Sequence, residues 1–374
     1  MNCFNQKLRI MKMTALLATA VLLASAACEK IDSEPARLPA LEGEDCSLVV
    51  RFADNAATKV VGETSSGESM IQNVQIFVFR SDGGGILDAC VSAGFDRALG
   101  YDSLNDSGFS LNLTCTTGER EIWAVVNAAA DFTSDASVGS RDELLAKTTA
   151  LSENAPDRLF MIGSAEKTLS AGSSTVEIAV KRVCASVVLE SVTNLMEAEV
   201  YRNPGSFRIK DVYLLNVPAR TDYGLNTAST ALSETDWYAR LGKETDAAKS
   251  ELILDTSSPK VLDYGESDDT RHSFYSYPNS CMPSTEDSWC PRATLLVLEA
   301  EFDVDGNTYG CYYPVTLFDE AEGSGLESNR QYRVSLTIRR PGSDNPNRPV
   351  EFDTLSGVIE IVDWESGTEY SETI

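Results

Sequence analysis

The sequence predicts a mainly β fold, two β-sandwich-like domains with a short helix in the first. Three observations carry that expectation. Short runs of alternating or continuous apolar residues recur along the chain, divided by turn residues. Only one segment joins a helix start signal to apolar residues along one face. Strands do not alternate with helices, which argues for stacked sheets and against an α/β scheme. At 374 residues the chain exceeds the ~250 residues that one core usually serves, so two domains are expected.

Residues 1–27 read as a secretory signal. Lys7, Arg9 and Lys12 precede the apolar run TALLATAVLLASAA, which is too short to span a bilayer. The run ends SAAC, so Cys28 resembles the cysteine of a bacterial lipobox, whose thiol is acylated and becomes the new N-terminus. Ser25 stands where that motif prefers Leu. Residues 28–59 begin as an acidic, proline-containing tether, EKIDSEPARLPALEGED, of a composition that stays solvated. A strand follows in which Leu48, Val50 and Phe52 share one face at period two. It dissolves into small polar residues with a single basic side chain, Lys59.

The first domain is expected over residues 60–181. VQIFVFR (Val74–Arg80), SLNLTC (110–115) and REIWAVVN (120–127) read as strands, with SDGGG as a turn. In SRDELLAKTTAL, Ser140 and Glu143 form a capping box. Leu144, Leu145, Thr148 and Leu151 would then line one helix face. Strand character resumes in STVEIAVKRVCASVVLESV, and the interruption at Lys181 and Arg182 marks the boundary.

The second domain is expected over residues 182–354. FRIKDVYLLNVP (207–218) reads as a strand, and a polar region of weak periodicity extends to about Cys290. Two strands then join across Asp305-Gly306, a strong hairpin signal. RQYRVSLTIRRPG is another strand. Residues 355–374 close the chain with Val358, Ile359, Ile361, Val362, Trp364, Tyr370 and Ile374, too many apolar residues for a solvated tail.

The composition excludes several functions. A formal charge of −26 repels nucleic acid and anionic membrane surfaces. His272 is the single histidine, in what reads as a solvated loop, so no multi-histidine metal site can form. No G-x-S-x-G is present, and no enzyme, metal or cofactor is expected. DVDGN at 303–307 lacks the flanking helices and final glutamate of a calcium loop and reads as a hairpin turn. The cysteines match no C-x-x-C pattern. Cys281 and Cys290 bracket a short loop and could pair in an oxidising compartment, whereas Cys184 and Cys311 read as buried apolar residues. Trp237 and Trp289 fall in the polar region, where an exposed pair could form a glycan platform.

Several segments together resemble the fimbrillins, the type V pilins of Bacteroidetes-type bacteria, especially their shaft subunit. These are NRQYRVSLTIRRPGSDNP, LLVLEAEFDVDGNTYGCYYPV, VKRVCASVVL, and SLVVRFADNAATKVVGE followed by VQIFVFR. The likeness covers most of the chain outside 219–289. It implies two transthyretin-like sandwiches and export as an acylated outer-membrane lipoprotein. It also implies a cut after Lys59 by a trypsin-like protease, leaving Val60 as the new terminus of an extracellular subunit. Lys59 stands where the family usually has arginine, and by itself it would read as a solvated surface lysine. Loss of the strand bearing Leu48, Val50 and Phe52 would open a groove for a strand from another subunit. The tail at 355–374 is the candidate donor, divided into a home strand over 358–364 and an exchanged portion over 365–374. The implied partners are like subunits, anchor and tip proteins, and host or bacterial surface ligands. The alternatives are an anchor or tip subunit, or a monomeric glycan-binding surface lipoprotein.

Overall fold

Period-two runs of apolar residues become strands in a computed structural model. It describes residues 43–52, 68–81, 84–95, 104, 109–134, 138–238, 252–255, 260–286, 288–319, 322–350 and 354–364, and the backbone of 369–373. The fold is mainly β, with two β-sandwich-like units and a short helix.

The first half contains β1 (Asp45–Phe52), β2 (Val74–Arg80), β3 (Leu87–Ala93), β4 (Ser110–Thr116), β5 (Gly118–Val126), α1 (Arg141–Leu145), β6 (Thr148–Ala150), β7 (Met161–Leu169), β8 (Gly172–Ile178) and β9 (Lys181–Arg182). A five-stranded sheet in the order β3-β2-β5-β7-β9 faces a three-stranded sheet in the order β4-β1-β8. Alternation along β2 explains how the layers stack. Val74, Ile76 and Val78 point into the core shared with the three-stranded sheet. Phe77 and Phe79 point the other way, into the larger core that continues through the second sandwich. The five-stranded sheet is therefore a middle layer, apolar on both faces.

Burial on both faces requires polar groups there to be paired. The Gln75 amide nitrogen donates to the Ala130 carbonyl at 2.9 Å, and its oxygen accepts from the Phe132 amide at 2.7 Å. At the end of β4, Arg120 meets Asp88 at 2.7 Å, with both side chains at least 98% buried. Asp88 also accepts from the Thr116 amide and hydroxyl, while Arg120 donates to the Glu119 and Thr117 carbonyls. These bonds tie β3, β4 and β5 together.

The helix is shorter than the periodicity suggests. Ser140 caps it by accepting from the Glu143 amide, but the Glu143 carboxylate reaches the Gly139 amide rather than that of Ser140. It ends at Leu145 because β-branched Thr148 and Thr149 enter β6. That strand pairs with β13 (Arg220–Asp222). Leu151 is buried, but from the 3-10 turn that follows.

The second half contains β10 (Ala185–Asn194), β11 (Phe207–Leu215), β12 (Val217–Pro218), β13, β14 (Trp237–Tyr238), β15 (Leu254–Asp255), β16 (Lys260–Val261), β17 (Ser267–Asp268), β18 (His272–Ser276), β19 (Leu295–Val304), β20 (Asn307–Thr316), β21 (Arg330–Ile338), β22 (Leu355–Asp363) and β23 (Glu369–Thr373). One sheet runs β17-β10-β21-β22-β23 with β18 also on β10, and the other runs β15-β11-β19-β20 with β16 also on β11. The expected hairpin joins β19 to β20, with Asp305 and Gly306 at φ +50° and +79°. Both central residues are left-handed, as a two-residue hairpin turn requires. His272 differs from the expected loop residue. It lies in β18, is buried, and places Nδ1 2.7 Å from the Asp255 carboxylate.

Removing Asp88 should leave the Arg120 guanidinium buried without its counter-charge. Asp88→Ala is therefore expected to lower unfolding stability by about 3–5 kcal/mol in urea titration. The double change Asp88→Leu with Arg120→Leu should recover most of that loss.

Candidate functional site

β1 is the centre of its small sheet. It runs antiparallel to β4 and parallel to β8, with seven facing residue pairs on each side. Among the described residues β1 is the only ladder neighbour of either strand. The inward face of β1 carries Cys46, Leu48 and Val50, each at most 4% exposed. Phe52 is half-buried and stacks on Phe109 with ring centroids 6.4 Å apart. Leu48 and Val50 pack in one cluster with Ile76, Val78, Ile122 and Ala124 of the middle sheet and with Val176 and Ile178 of β8. Full burial of such a side chain contributes about 1.5–3 kcal/mol. Without β1 a slot would lie open, floored by the middle sheet and walled by β4 and β8.

The floor and the outer side of the β4 wall have contacts that do not involve β1. The middle sheet is covered on its other face by the larger core. Beside the β4 wall, the Asp88–Thr116–Arg120 bonds are made independently of β1. Arg51 belongs to the ladder itself, opposite Ser110 in β4 and Glu177 in β8. A protease needs an extended, unpaired segment, so Arg51 is shielded while the sheet is intact. Cys28, Lys59, Val60 and Ile374 lie outside the described residues.

The tail divides at Trp364. β22 pairs with β21 along all nine residues, Ile359 and Trp364 pack in the larger core, and Val362 is buried outside it. Ile361 is half-buried and Val358 is exposed. Trp364 stacks on Tyr275 at 6.0 Å and lies 4.5 Å from the Arg182 guanidinium carbon. Arg182 Nε donates to the Glu68 carbonyl at 3.2 Å, and the Tyr275 hydroxyl donates to the Glu68 carboxylate. Of the candidate donor residues, Val358, Ile359, Ile361 and Val362 thus lie in the second sandwich's own sheet, and Trp364, just past β22, lies in its core. Among the described residues, β23, which includes Tyr370, pairs only with β22 and is the edge of that sheet.

One expectation for the polar region is corrected. Trp237 is 6% exposed and meets Trp289 edge-on at 6.1 Å, so the two rings do not form an open platform. Cys281 and Cys290 are free thiols in this structure, as are Cys46 and Cys115. The Cys281 sulfur is directed to the Ser229 hydroxyl at 3.4 Å, whereas Cys290 lies between the Ser284 hydroxyl and the Arg292 guanidinium. Cys184 and Cys311 are buried as expected, and burial pushes the Cys184 thiol up to about 12. Sequence reasoning missed β8 as the second wall and Cys46 as an inward-facing residue. Cys46 continues the period of Leu48 and Val50, which was the available signal.

Comparison with known proteins places these features. Residues 47–183 match the family model of the major fimbrial subunit protein (FimA), a span from within β1 to the residues just before β10. The chain is 23% identical to the major fimbrium subunit FimC of Porphyromonas gingivalis over 367 residues, covering 93% of this chain and 69% of that protein. Among solved structures, a candidate cell adhesion protein of Bacteroides eggerthii superposes with a TM-score of 0.64 at 20% identity, covering 87% of this chain and 97% of the other. A fimbrilin (FimA) of P. gingivalis superposes at 0.57 and 18% identity, covering 87% and 98%.

In the uncut chain the slot residues should matter to stability in proportion to burial. Leu48→Ala is expected to cost about 2–5 kcal/mol in urea unfolding, whereas exposed Arg51→Ala should change stability by no more than about 0.5 kcal/mol.

Proposed function

Because the chain belongs to the fimbrillin family, we propose that it is a polymerising subunit of a cell-surface fimbria, built by strand exchange at the β1 slot. Its role is structural rather than enzymatic, and adhesion follows from the polymer. The observation that carries this reading is the position of β1, central in a sheet whose other two strands have no second ladder partner among the described residues. Departure of β1 would expose backbone donors and acceptors on both walls together with an apolar floor, and unpaired groups of both kinds favour a replacement strand.

The proposed sequence of events begins with export and acylation at Cys28, which anchors the precursor in the outer membrane. A trypsin-like protease then cuts after Lys59 and leaves Val60 as the new terminus. The seven basic and seven acidic side chains of residues 1–59 cancel, so the processed subunit keeps the formal charge of −26. Like-charged subunits repel at low salt, and burial of a donor strand in the slot must overcome that repulsion. The donor we infer is the segment from Glu365 to the end, with β22 staying at home. Exchange of β22 would strip Ile359 and Trp364 from the subunit's own core. Both sandwiches are inferred to be of the transthyretin-like kind.

Two experiments test the reading. Lys59→Ala should block processing and leave the precursor monomeric, as judged by N-terminal sequencing and size-exclusion chromatography. Assembled fibres whose subunits still carry residues 29–59 would refute it. Truncation after Glu365 keeps the Trp364 contacts and should give a folded, processed protein that forms no detergent-resistant ladder. Ladders from the truncated chain would show that the donor lies elsewhere.

A further inference from the structure

Cys46 and Cys115 face each other across the β1–β4 ladder, with their sulfurs 3.6 Å apart and both side chains buried. Directly opposed residues in an antiparallel pair have Cα atoms about 4.5 or 5.5 Å apart, and both values fall within the span of a disulfide, about 4.4–6.8 Å. Cys311, by contrast, lies opposite Ala300 and has no cysteine across its ladder. The signal read in residues 1–27 sends the chain out of the cytosol, into compartments where disulfides persist.

We propose that Cys46 and Cys115 form a disulfide in the exported chain, stapling β1 to one wall of its slot, so that release of the strand requires proteolysis and also thiol–disulfide exchange with a dithiol reductant, which gives up two electrons and two protons and becomes the disulfide. The inference rests on the reading of β1 as a removable strand. Formation needs a disulfide-bearing oxidant, such as oxidised glutathione or a dithiol–disulfide oxidoreductase. The Cys46 thiolate attacks one oxidant sulfur and expels a thiolate. The Cys115 thiolate then attacks the Cys46 sulfur of the mixed disulfide and expels the second. The two protein thiols lose two electrons and two protons, and the oxidant takes up both to become two thiols.

Burial governs when this can happen. Desolvation, then the hydrogen bond to Cys46, pushes the Cys115 thiol up to about 12. Folded, reduced Cys115 therefore holds little thiolate, the form that attacks. The bond must form as β1 and β4 come together during folding, before the site is sealed. Once formed, it has a topological consequence. Lys59 lies between Cys46 and Cys115 in sequence, so a cut there falls inside the closed loop and leaves both fragments covalently joined.

The test uses the full chain, recovered from the cell surface with iodoacetamide and without reductant. After denaturation and digestion, mass spectrometry should find the Cys46 and Cys115 peptides crosslinked. Finding both cysteines alkylated would overturn the proposal. Trypsin-treated native protein should then be compared on denaturing gels with and without dithiothreitol. The fragment ending at Lys59 should stay attached until reductant is added, and Cys46→Ser should release it without reductant. In native protein, the same fragment should leave the slot only after reduction. Crosslinked peptides combined with native release in the absence of reductant would sink the locking role. If the crosslink is found but no cut occurs near Lys59, the processing reading fails, and with it the lock, while the disulfide stands.

Discussion

The first sandwich depends on one pairing constraint. β4 and β8 each have a single ladder partner among the described residues, and that partner is β1. Buried backbone donors and acceptors must be paired, so the two strands belong to one sheet only while a strand lies between them. The same strand closes the apolar core, because Leu48 and Val50 fill the space over the middle sheet. Hydrogen bonding and hydrophobic burial are therefore satisfied or lost together at this one place. The middle sheet tolerates such a site because its opposite face is packed against the larger core.

The end of the second sandwich is fixed with comparable care. Trp364 touches both Tyr275 and Arg182, and Glu68 accepts from Tyr275 through its carboxylate and from Arg182 through its carbonyl. Four residues far apart in sequence thereby join the end of β22 to the stretch just before β2. A cation over an indole face, with much of its water removed, is a strong example of its kind. The assembly gives β22 a firm home. β23, by comparison, has one ladder among the described residues, to β22.

Much of this was legible in the sequence where one face is buried and the other is not. The period of Leu48 and Val50, the continuous apolar run of β2, the Asp305-Gly306 turn and the Ser140 cap each have a local cause. What was not legible depends on distant partners. Thr148 and Thr149 leave the helix because β13, some seventy residues later, offers a ladder. β3 shows intermediate burial at every position, so it has no alternation to read. Trp237 sits in a polar stretch yet is buried, and His272 is held by Asp255 from a strand only two residues long. The pairing of Cys46 with Cys115 requires the register of two strands that sequence alone cannot align. The parallel partnership of β1 with β8 was hidden for the same reason.

That mixed partnership gives the slot a direction. Antiparallel and parallel ladders space their hydrogen bonds differently along the strand, and here one edge of the slot is built for each kind. A strand entering head-first in the orientation of β1 meets both edges with the spacing they already hold. A strand entering reversed must meet each edge with the spacing of the other kind, and its inward side chains fall into a different register over the floor. Whatever fills the slot is therefore sorted by chain sense as well as by apolar pattern. A row of molecules linked through such slots would inherit that sense, with every member pointing the same way and two chemically unlike ends.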